Sequence, residues 1–378
     1  MLKTSCLEKI DTPFLLIDKK KFDNNVLGLK TKLAPHQVLL RPHLKTVKSI
    51  AGVKHILENF NSPATVSTVK EAEAFAQAGY TNLIYAVGIA PQKLPRIEKL
   101  LKQGIDISIL LDSLSQADAV SRFCLANNIS IPTLLEIDCD GHRGGIKPDD
   151  INLLKIAETL HSGGAELRGV LTHAGESYEC NNDQALIAAA EGERYAAVTA
   201  ATLLIDNGYP CPVVSVGSTP TAHFAENLQG VTEVRAGVYT FFDLVMAGIG
   251  VCTPEQIALS VVTSVIGHNN DKNWLFIDAG WMSLSQDRGT SSQDNDCGYG
   301  VVCTSEGEII PGLQVIGANQ EHGIIAYQDG RELPDIAVGA QLRILPNHAC
   351  ATAAMHAGYY VDDTEQSELD YWPRIQGW

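Results

Sequence analysis

The 378-residue chain has no long apolar run, no Cys-x-x-Cys pair and no surplus of basic residues. No window reaches the ~20 uninterrupted apolar residues that span a bilayer. The opening MLKTSCLEKIDTP lacks the apolar stretch of a secretion signal. These two absences lead to the expectation of a cytoplasmic protein that does not enter a membrane. Nine cysteines (Cys6, Cys124, Cys139, Cys180, Cys211, Cys252, Cys297, Cys303, Cys350) are scattered and odd in number. That spacing excludes an ordinary disulfide framework and points to reduced thiols. With 28 Lys and Arg against 44 Asp and Glu, the formal net charge is -16. Such a chain has no basic stripe for nucleic acid and no polybasic anchor for lipid, so a small-molecule substrate is expected. Low-complexity tracts are missing too, as is any internal repeat beyond the alternation described next.

From about Val38 to Arg235, short β-rich runs alternate with longer amphipathic ones. The strand candidates are Val38–Arg41, Ala64–Val66, Leu83–Val87, Ile107–Leu110, Thr133–Ile137, Arg168–Thr172, Val213–Val216 and Glu233–Arg235. Helical patterns lie between them at Thr68–Ala78, Pro91–Lys102, Leu114–Asn127, Asp149–His161 and Asp183–Asn207. About eight such units in series, with nearly continuous apolar strands, predict an α/β fold with a parallel (β/α)8 TIM-like barrel; an open doubly wound sheet is the alternative. After Phe242 the texture becomes β-rich with Gly, Asn and Asp between the runs: Ala258–His268, Trp274–Asp278, Gly300–Cys303, Gln314–Ala318, Gly323–Ala326 and Gln341–Leu345. The expected organisation is a barrel over residues 19–245 and an antiparallel β domain over 246–378. Residues 1–18 would join the second through a strand at Phe14–Ile17.

In such barrels the reactive groups stand at the C-terminal ends of strands. LLRPHLKTVK puts Arg41, His43 and Lys45 just past the first strand, and an extended chain there would turn all three to one side. A lysine so placed can hold an aldehyde cofactor as an imine; read plainly, it is one of several exposed lysines near Lys48. Val216-Gly217-Ser218-Thr219-Pro220-Thr221 runs from a strand into a turn that opens a helix, a ready phosphate cup. Arg235-Ala236-Gly237-Val238-Tyr239 supplies a second turn where Gly237 lets the backbone approach an anion. Arg143, in EIDCDGHRGG, can bond a phenolic oxygen or a carboxylate, or else pair with Asp138 or Asp140. In THAGESY, His173 can flank a planar ring and Tyr178 offers a hydroxyl. On a strand, residues i and i+2 share a face, so His348 and Cys350 in NHACAT would converge on one point and hold a soft or borderline divalent metal; the plain reading is a buried thiol beside a surface histidine.

Taken in order, TPFLLID, RPHLKTVK, EIDCDGHRGGI, HAGESY, VSVGSTPT, EVRAGVYTFFD, DAGWMSLSQDRG, NQEHG and PNHACAT resemble the D-serine dehydratase and D-threonine aldolase family, pyridoxal-phosphate enzymes of the alanine racemase fold type. The resemblance runs nearly the whole chain. It implies a barrel followed by a β domain, in a homodimer with the active site at the interface. It makes Lys45 the Schiff-base lysine and brings Arg143 to the phenolic oxygen of pyridoxal 5'-phosphate. Gly217, Ser218, Thr219, Gly237 and Val238 would hold the phosphate, Arg235 or Tyr239 would lie near the pyridine nitrogen, and His348 and Cys350 would be metal ligands. His173 and Tyr178 join Lys45 as candidate catalytic groups. Zinc is the expected metal, with manganese or cobalt as alternatives.

The implied reaction is loss of water from a D-3-hydroxyamino acid. The metal draws off the β-hydroxyl, the freed Lys45 takes the Cα proton, and the product becomes a 2-oxo acid and ammonia. The rivals are retro-aldol cleavage to glycine and an aldehyde, metal-free racemisation, and a pyridoxal carrier without turnover. Cys350 resembles the dehydratase branch, since the better-known D-threonine aldolases carry an aspartate there. Asp287 and Gln320-Glu321-His322-Gly323 are candidates for supporting contacts. Glu176 stands where family members often have a histidine, and a carboxylate there would disfavour acidic substrates such as 3-hydroxyaspartate.

Overall fold

The computed structural model describes residue 7, residues 9–366 and residues 368–378; Cys6 lies outside the described residues. In chain order the strands are β1 (Phe14–Asp18), β2 (Leu39–Pro42), β3 (Ala64–Val66), β4 (Asn82–Gly88), β5 (Asp106–Leu111), β6 (Pro132–Ile137), β7 (Glu166–Thr172), β8 (Val213–Val216), β9 (Glu233–Ala236), β10 (Leu259–Asn269), β11 (Trp274–Ile277), β12 (Val301–Cys303), β13 (Ile309–Ala318), β14 (Gly323–Tyr327), β15 (Gln341–Leu345), β16 (Gly358–Asp362) and β17 (Asp370–Pro373). The chain divides into two compact units. One holds Gly28–Gly237 with Ile375–Trp378, and the other holds the described residues up to Leu27 with Val238–Arg374.

The first unit is a parallel barrel. Its strands run in the order β2-β9-β8-β7-β6-β5-β4-β3, and a parallel bridge from His43 to Thr65 closes the ring. Every strand runs parallel to its neighbours because a helical segment returns the chain to the same end each time. Ile84, Leu110, Leu134 and Leu171, one each from β4 to β7, pack into a shared apolar cluster. Polar residues set where the helices begin. Thr68 and Glu71 form a reciprocal capping box at Val69–Gln77, Ser113 caps Leu114–Asn127, Asn182 caps Asp183–Asp206, and Ser218 with Thr221 boxes Thr219–Phe224. Each β-rich run expected between Val38 and Arg235 is a barrel strand here, its ends within two residues of those read from the sequence.

The second unit is a sheet in the order β11-β14-β13-β12-β15-β10-β1-β16-β17. A further pairing of β11 with β10 curls six of these strands into a closed ring, leaving β1, β16 and β17 as an extension. The pairs are antiparallel except β1 with β16, which is parallel. Alternation of inward apolar residues explains the ring: Leu342, Ile344, Val302, Leu313, Val315, Ile325, Leu275 and Ile277 are all buried. The strand expected at Gln314–Ala318 starts five residues earlier, at Ile309. Pro311-Gly312 masks that start in the sequence, and the register shift between Val301 and Cys303 absorbs it as an irregularity against β12.

Candidate active site and metal centre

The chain does not stay extended beyond β2. Leu44–Val47 form a turn, with the Lys48 amide donating to the Leu44 carbonyl at 2.8 Å and Lys48 itself at φ +46. The expectation that Arg41, His43 and Lys45 project together is therefore corrected. Arg41 is buried inside the barrel, its Nε donating to Glu233 at 2.8 Å and its Nη1 to the Ala64 carbonyl and to Asn82 Oδ1. Lys45 is exposed at the turn beyond the strand's C-terminal end, and His43 lies beside it, its Nδ1 accepting from the Lys45 amide at 3.4 Å.

A polar ladder crosses the barrel interior from Arg41. Glu233 accepts from Arg41 with one oxygen and from Ser215 Oγ with the other at 2.7 Å. Ser215 Oγ in turn accepts from Arg235 Nε at 2.9 Å, and Arg235 Nη2 donates to the Thr172 carbonyl. Ser215 pairs in register with Glu233 across β8 and β9, which is why the four groups meet. The ladder fixes the Arg235 guanidinium through Nε and Nη2.

Gly217 has φ +137, and a Cβ there would lie 2.0 Å from the Arg235 carbonyl oxygen, so only glycine lets β8 and β9 close together at this height. At Gly237 a Cβ would meet Thr46 Oγ1 at 2.8 Å and the His43 backbone at 3.1 Å. Ser218 and Thr219 are buried at the start of helix Thr219–Phe224, and Ser218 Oγ lies 2.8 Å from Ser177 Oγ. Glu193, from helix Asp183–Asp206, is 2% exposed and accepts from the Ala174 and Gly217 amides at 2.9 Å each and from Thr221 Oγ1 at 2.7 Å.

His173 donates from Nδ1 to the Gly217 carbonyl at 2.9 Å, which leaves Nε2 with its lone pair. Burial pushes the ring down to about 3, and the positive charges of Arg143, Arg235 and Lys45 hold it there against the help of that bond. Burial likewise lowers His43, with Lys45, Arg235, His173 and Lys48 adding to the effect. Tyr178 lies beside His173 at 6.2 Å between ring centroids. Arg143 pairs with neither Asp138 nor Asp140. Asp138 is taken by Lys147 and the Gly141 amide, and Asp140 by the amides of His142 and Glu176. Glu176 Oε1 sits 2.8 Å from His142 Nδ1, both exposed. The His43 and His173 imidazoles are both held neutral, by burial and by the cations around them.

In the β-rich unit, His348 and Cys350 are not on a strand. β15 ends at Leu345, Pro346-Asn347 turns the chain, and His348 is the N-cap of the helix Ala349–Ala354 that contains Cys350. An N-cap side chain lies over the first helical turn, so the two residues still interact, through a hydrogen bond between ring and thiol. His348 Nδ1 donates to Asp287 Oδ2 at 2.6 Å, leaving Nε2 for a second partner. Burial opposes a charge on this ring, yet Asp287 and Cys350 carry it up to about 11. The same bond holds the Asp287 carboxyl below its usual range. Buried Asp243 accepts from the Met246 and Ala349 amides at 3.0 Å each, and buried Asn347 bonds Thr290 and the Gly298 carbonyl. Tyr239 belongs to this unit and is fully enclosed; burial raises its phenol.

Residues 17–245 match the family model described as the alanine racemase N-terminal domain, and residues 258–362 match a putative serine dehydratase domain. The chain is 49% identical to the D-threo-3-hydroxyaspartate dehydratase of Delftia sp. (strain HT23) over 374 residues, 98% of each. The solved structure of that protein superposes with a TM-score of 0.96, covering 99% of this chain and 100% of the other. An alanine racemase-like protein of Idiomarina loihiensis superposes at 0.95 with 51% identity, covering 98% and 99%. The chain belongs to the D-serine dehydratase and D-threonine aldolase family. Its members are lyases, and its barrel is that of the alanine racemase fold type.

Both halves of this family member suit the groups the resemblance implies. At the barrel mouth the buried Ser218 and Thr219 and the positive charges of Arg143, Arg235 and Lys45 acting on His173 suit an anionic phosphate ester. In the β-rich unit an imidazole oriented by a carboxylate beside a thiol suits a borderline divalent ion. Among the described residues no group of three or more His, Cys, Asp or Glu side chains is arranged to share an ion. Sequence reasoning missed Glu193, Asp243 and Asn347. Glu193 did leave a signal, as a carboxylate inside the apolar stripe Leu186, Ala190, Ala197, Ala200, Leu204 of its helix. Asp243 leads directly into an apolar helix start, the mark of a cap.

Proposed function

We propose that this chain removes water from a D-3-hydroxyamino acid to give a 2-oxo acid and ammonia, with pyridoxal 5'-phosphate and a divalent metal ion, zinc, as its cofactors. The observation that carries the reading is the Asp287–His348–Cys350 cluster in the same chain as the Lys45 barrel mouth. Its Delftia relative is a dehydratase by name, and a cysteine-to-alanine variant of that protein has been solved in a metal-free form. When bound, the pyridoxal ring supplies a sink for electrons released at Cα, and the metal supplies Lewis acidity toward the β-hydroxyl.

The chain's own residues do the rest. Lys45 Nζ would form the covalent tether and, once the substrate amine replaces it, would move the Cα proton. Its position beside three other cations favours an anionic partner there. The Gly217–Thr219 turn would hold the phosphate together with Gly237 and Val238, Arg143 would meet the phenolic oxygen, and Arg235 or Tyr239 would lie near the ring nitrogen. His173, kept neutral with Nδ1 committed to Gly217, would flank the ring without adding charge, and Tyr178 would offer its hydroxyl beside it. His348 and Cys350 would hold the metal, with Asp287 orienting the imidazole. The exposure of Lys45 and Arg143 in a single chain supports a homodimer whose second copy covers the site.

The test is to incubate the metal-loaded protein with D-serine, D-threonine and D-3-hydroxyaspartate. Expected are 2-oxo acid and ammonia, a yellow protein bleached by borohydride, and activity lost to chelator and restored by zinc. Glycine plus an aldehyde would instead make the protein an aldolase, and indifference to chelator would remove the metal from the reading.

A further inference from the structure

One carboxylate in the barrel unit has no place in the chemistry above and yet touches three of the segments that build the site. Glu193 is 2% exposed on helix Asp183–Asp206. Its Oε1 accepts from the Ala174 amide, directly after His173, and from the Gly217 amide, at 2.9 Å each. Its Oε2 accepts from Thr221 Oγ1 at 2.7 Å, and Thr221 Oγ1 accepts from the Ser218 amide at 3.0 Å. Gly217 is thus gripped through both peptides that flank it, its N–H by Glu193 and its carbonyl by His173 Nδ1. A buried carboxylate would be costly here without these donors and the nearby Arg235 charge.

We infer that Glu193 is a positioning residue for the cofactor's phosphate: it fixes the backbone at Gly217 and Ser218 and, because His173 Nδ1 bonds the Gly217 carbonyl, the orientation of His173. The inference rests on the reading of this turn as a phosphate cup. In Glu193→Gln, Oε1 can still accept both amides, but the NH2 now faces Thr221 Oγ1. That hydroxyl must turn its own hydrogen away, toward the Ser218 carbonyl at 3.4 Å, and the cup reorients. Thr221→Val removes the same link from the other end and leaves the carboxylate in place.

The experiment titrates the cofactor-free wild type, Glu193→Gln and Thr221→Val with pyridoxal 5'-phosphate and, separately, with pyridoxal, following the imine absorbance. Thermal unfolding is recorded alongside. The expected result is that both variants bind the phosphate ester about tenfold or more weakly while affinity for pyridoxal changes little, the loss of one charge-assisted hydrogen bond aimed at the phosphate end. Equal loss for both ligands, or a loss confined to the melting temperature, would reduce Glu193 to a fold anchor and overturn the inference. A wild type that takes up neither compound would overturn the phosphate-cup reading and this inference with it, whereas a wild type that binds normally beside unaltered variants sinks only the role of Glu193.

Discussion

His173 and His348 are pulled in opposite directions, and the two shifts have opposite signs in stability. His173 falls from an ordinary 6.5 to about 3. The unfolded ring takes up a proton that the folded one refuses, so its stabilising contribution is present above about 6.5 and is lost as pH falls toward 3. Urea midpoints measured across that window should drop more steeply for the wild type than for His173→Asn. His348 rises from 6.5 to about 11, so its contribution in the metal-free protein is full below about 6.5 and is lost as pH climbs through 11. A metal must displace that proton, and its apparent affinity should rise about tenfold per pH unit below the shifted value. Asp287→Asn withdraws the partner that orients the ring. Calorimetric titration with zinc should show affinity about 10- to 100-fold weaker, and an unchanged constant would remove Asp287 from the metal site. At this scale the strand-end rule placed His173 directly after β7 and Lys45 in the turn that follows β2, which is where the structure has them. Glu193 shows in the sequence only as a carboxylate inside an apolar helix stripe, since its partners, two backbone amides and the Thr221 hydroxyl, lie on other segments and leave no mark beside it.

Among elements, local chemistry overrode texture in two places. The i, i+2 spacing of His348 and Cys350 in NHACAT suggests a strand, but Ala-Cys-Ala-Thr-Ala-Ala is a good helix former after a proline turn, and six residues are too few to display a 3.6 period. The pairing of imidazole and thiol survives the change of element, since a cap and the first turn bring the residues together as closely as alternate strand positions do. The chain turns away after Pro42, so Arg41 belongs to the barrel interior and Lys45 to its rim. Arg41→Met leaves Glu233 charged and enclosed without its partner. Denaturant unfolding should report a loss of about 3 kcal/mol or more, and a smaller loss would mean that Ser215 alone satisfies the carboxylate. Strands of the barrel were legible to within two residues because buried parallel strands are short apolar runs with little else in them, whereas Pro311-Gly312 hid the start of β13 by breaking the alternation that marks an antiparallel strand.

For the whole molecule, the eight-unit alternation and the later change to β texture were enough to read a barrel joined to a β-rich part. The closed ring made by β10 with β11 was not legible, since sequence pattern carries no information about which strand edges meet. Neither was the order in which the parts can be completed. β1 lies between β10 and β16, so the second strand pairing of residues 14–18 waits for residues 358–362, while every strand of the barrel is contributed by the chain between them. During synthesis the middle of the polypeptide therefore has all its partners before the beginning does. The ribosome releases a nested insert first and its enclosing layer last, and a nascent chain halted near residue 300 should resist protease over the barrel while its first twenty or so residues are still cut.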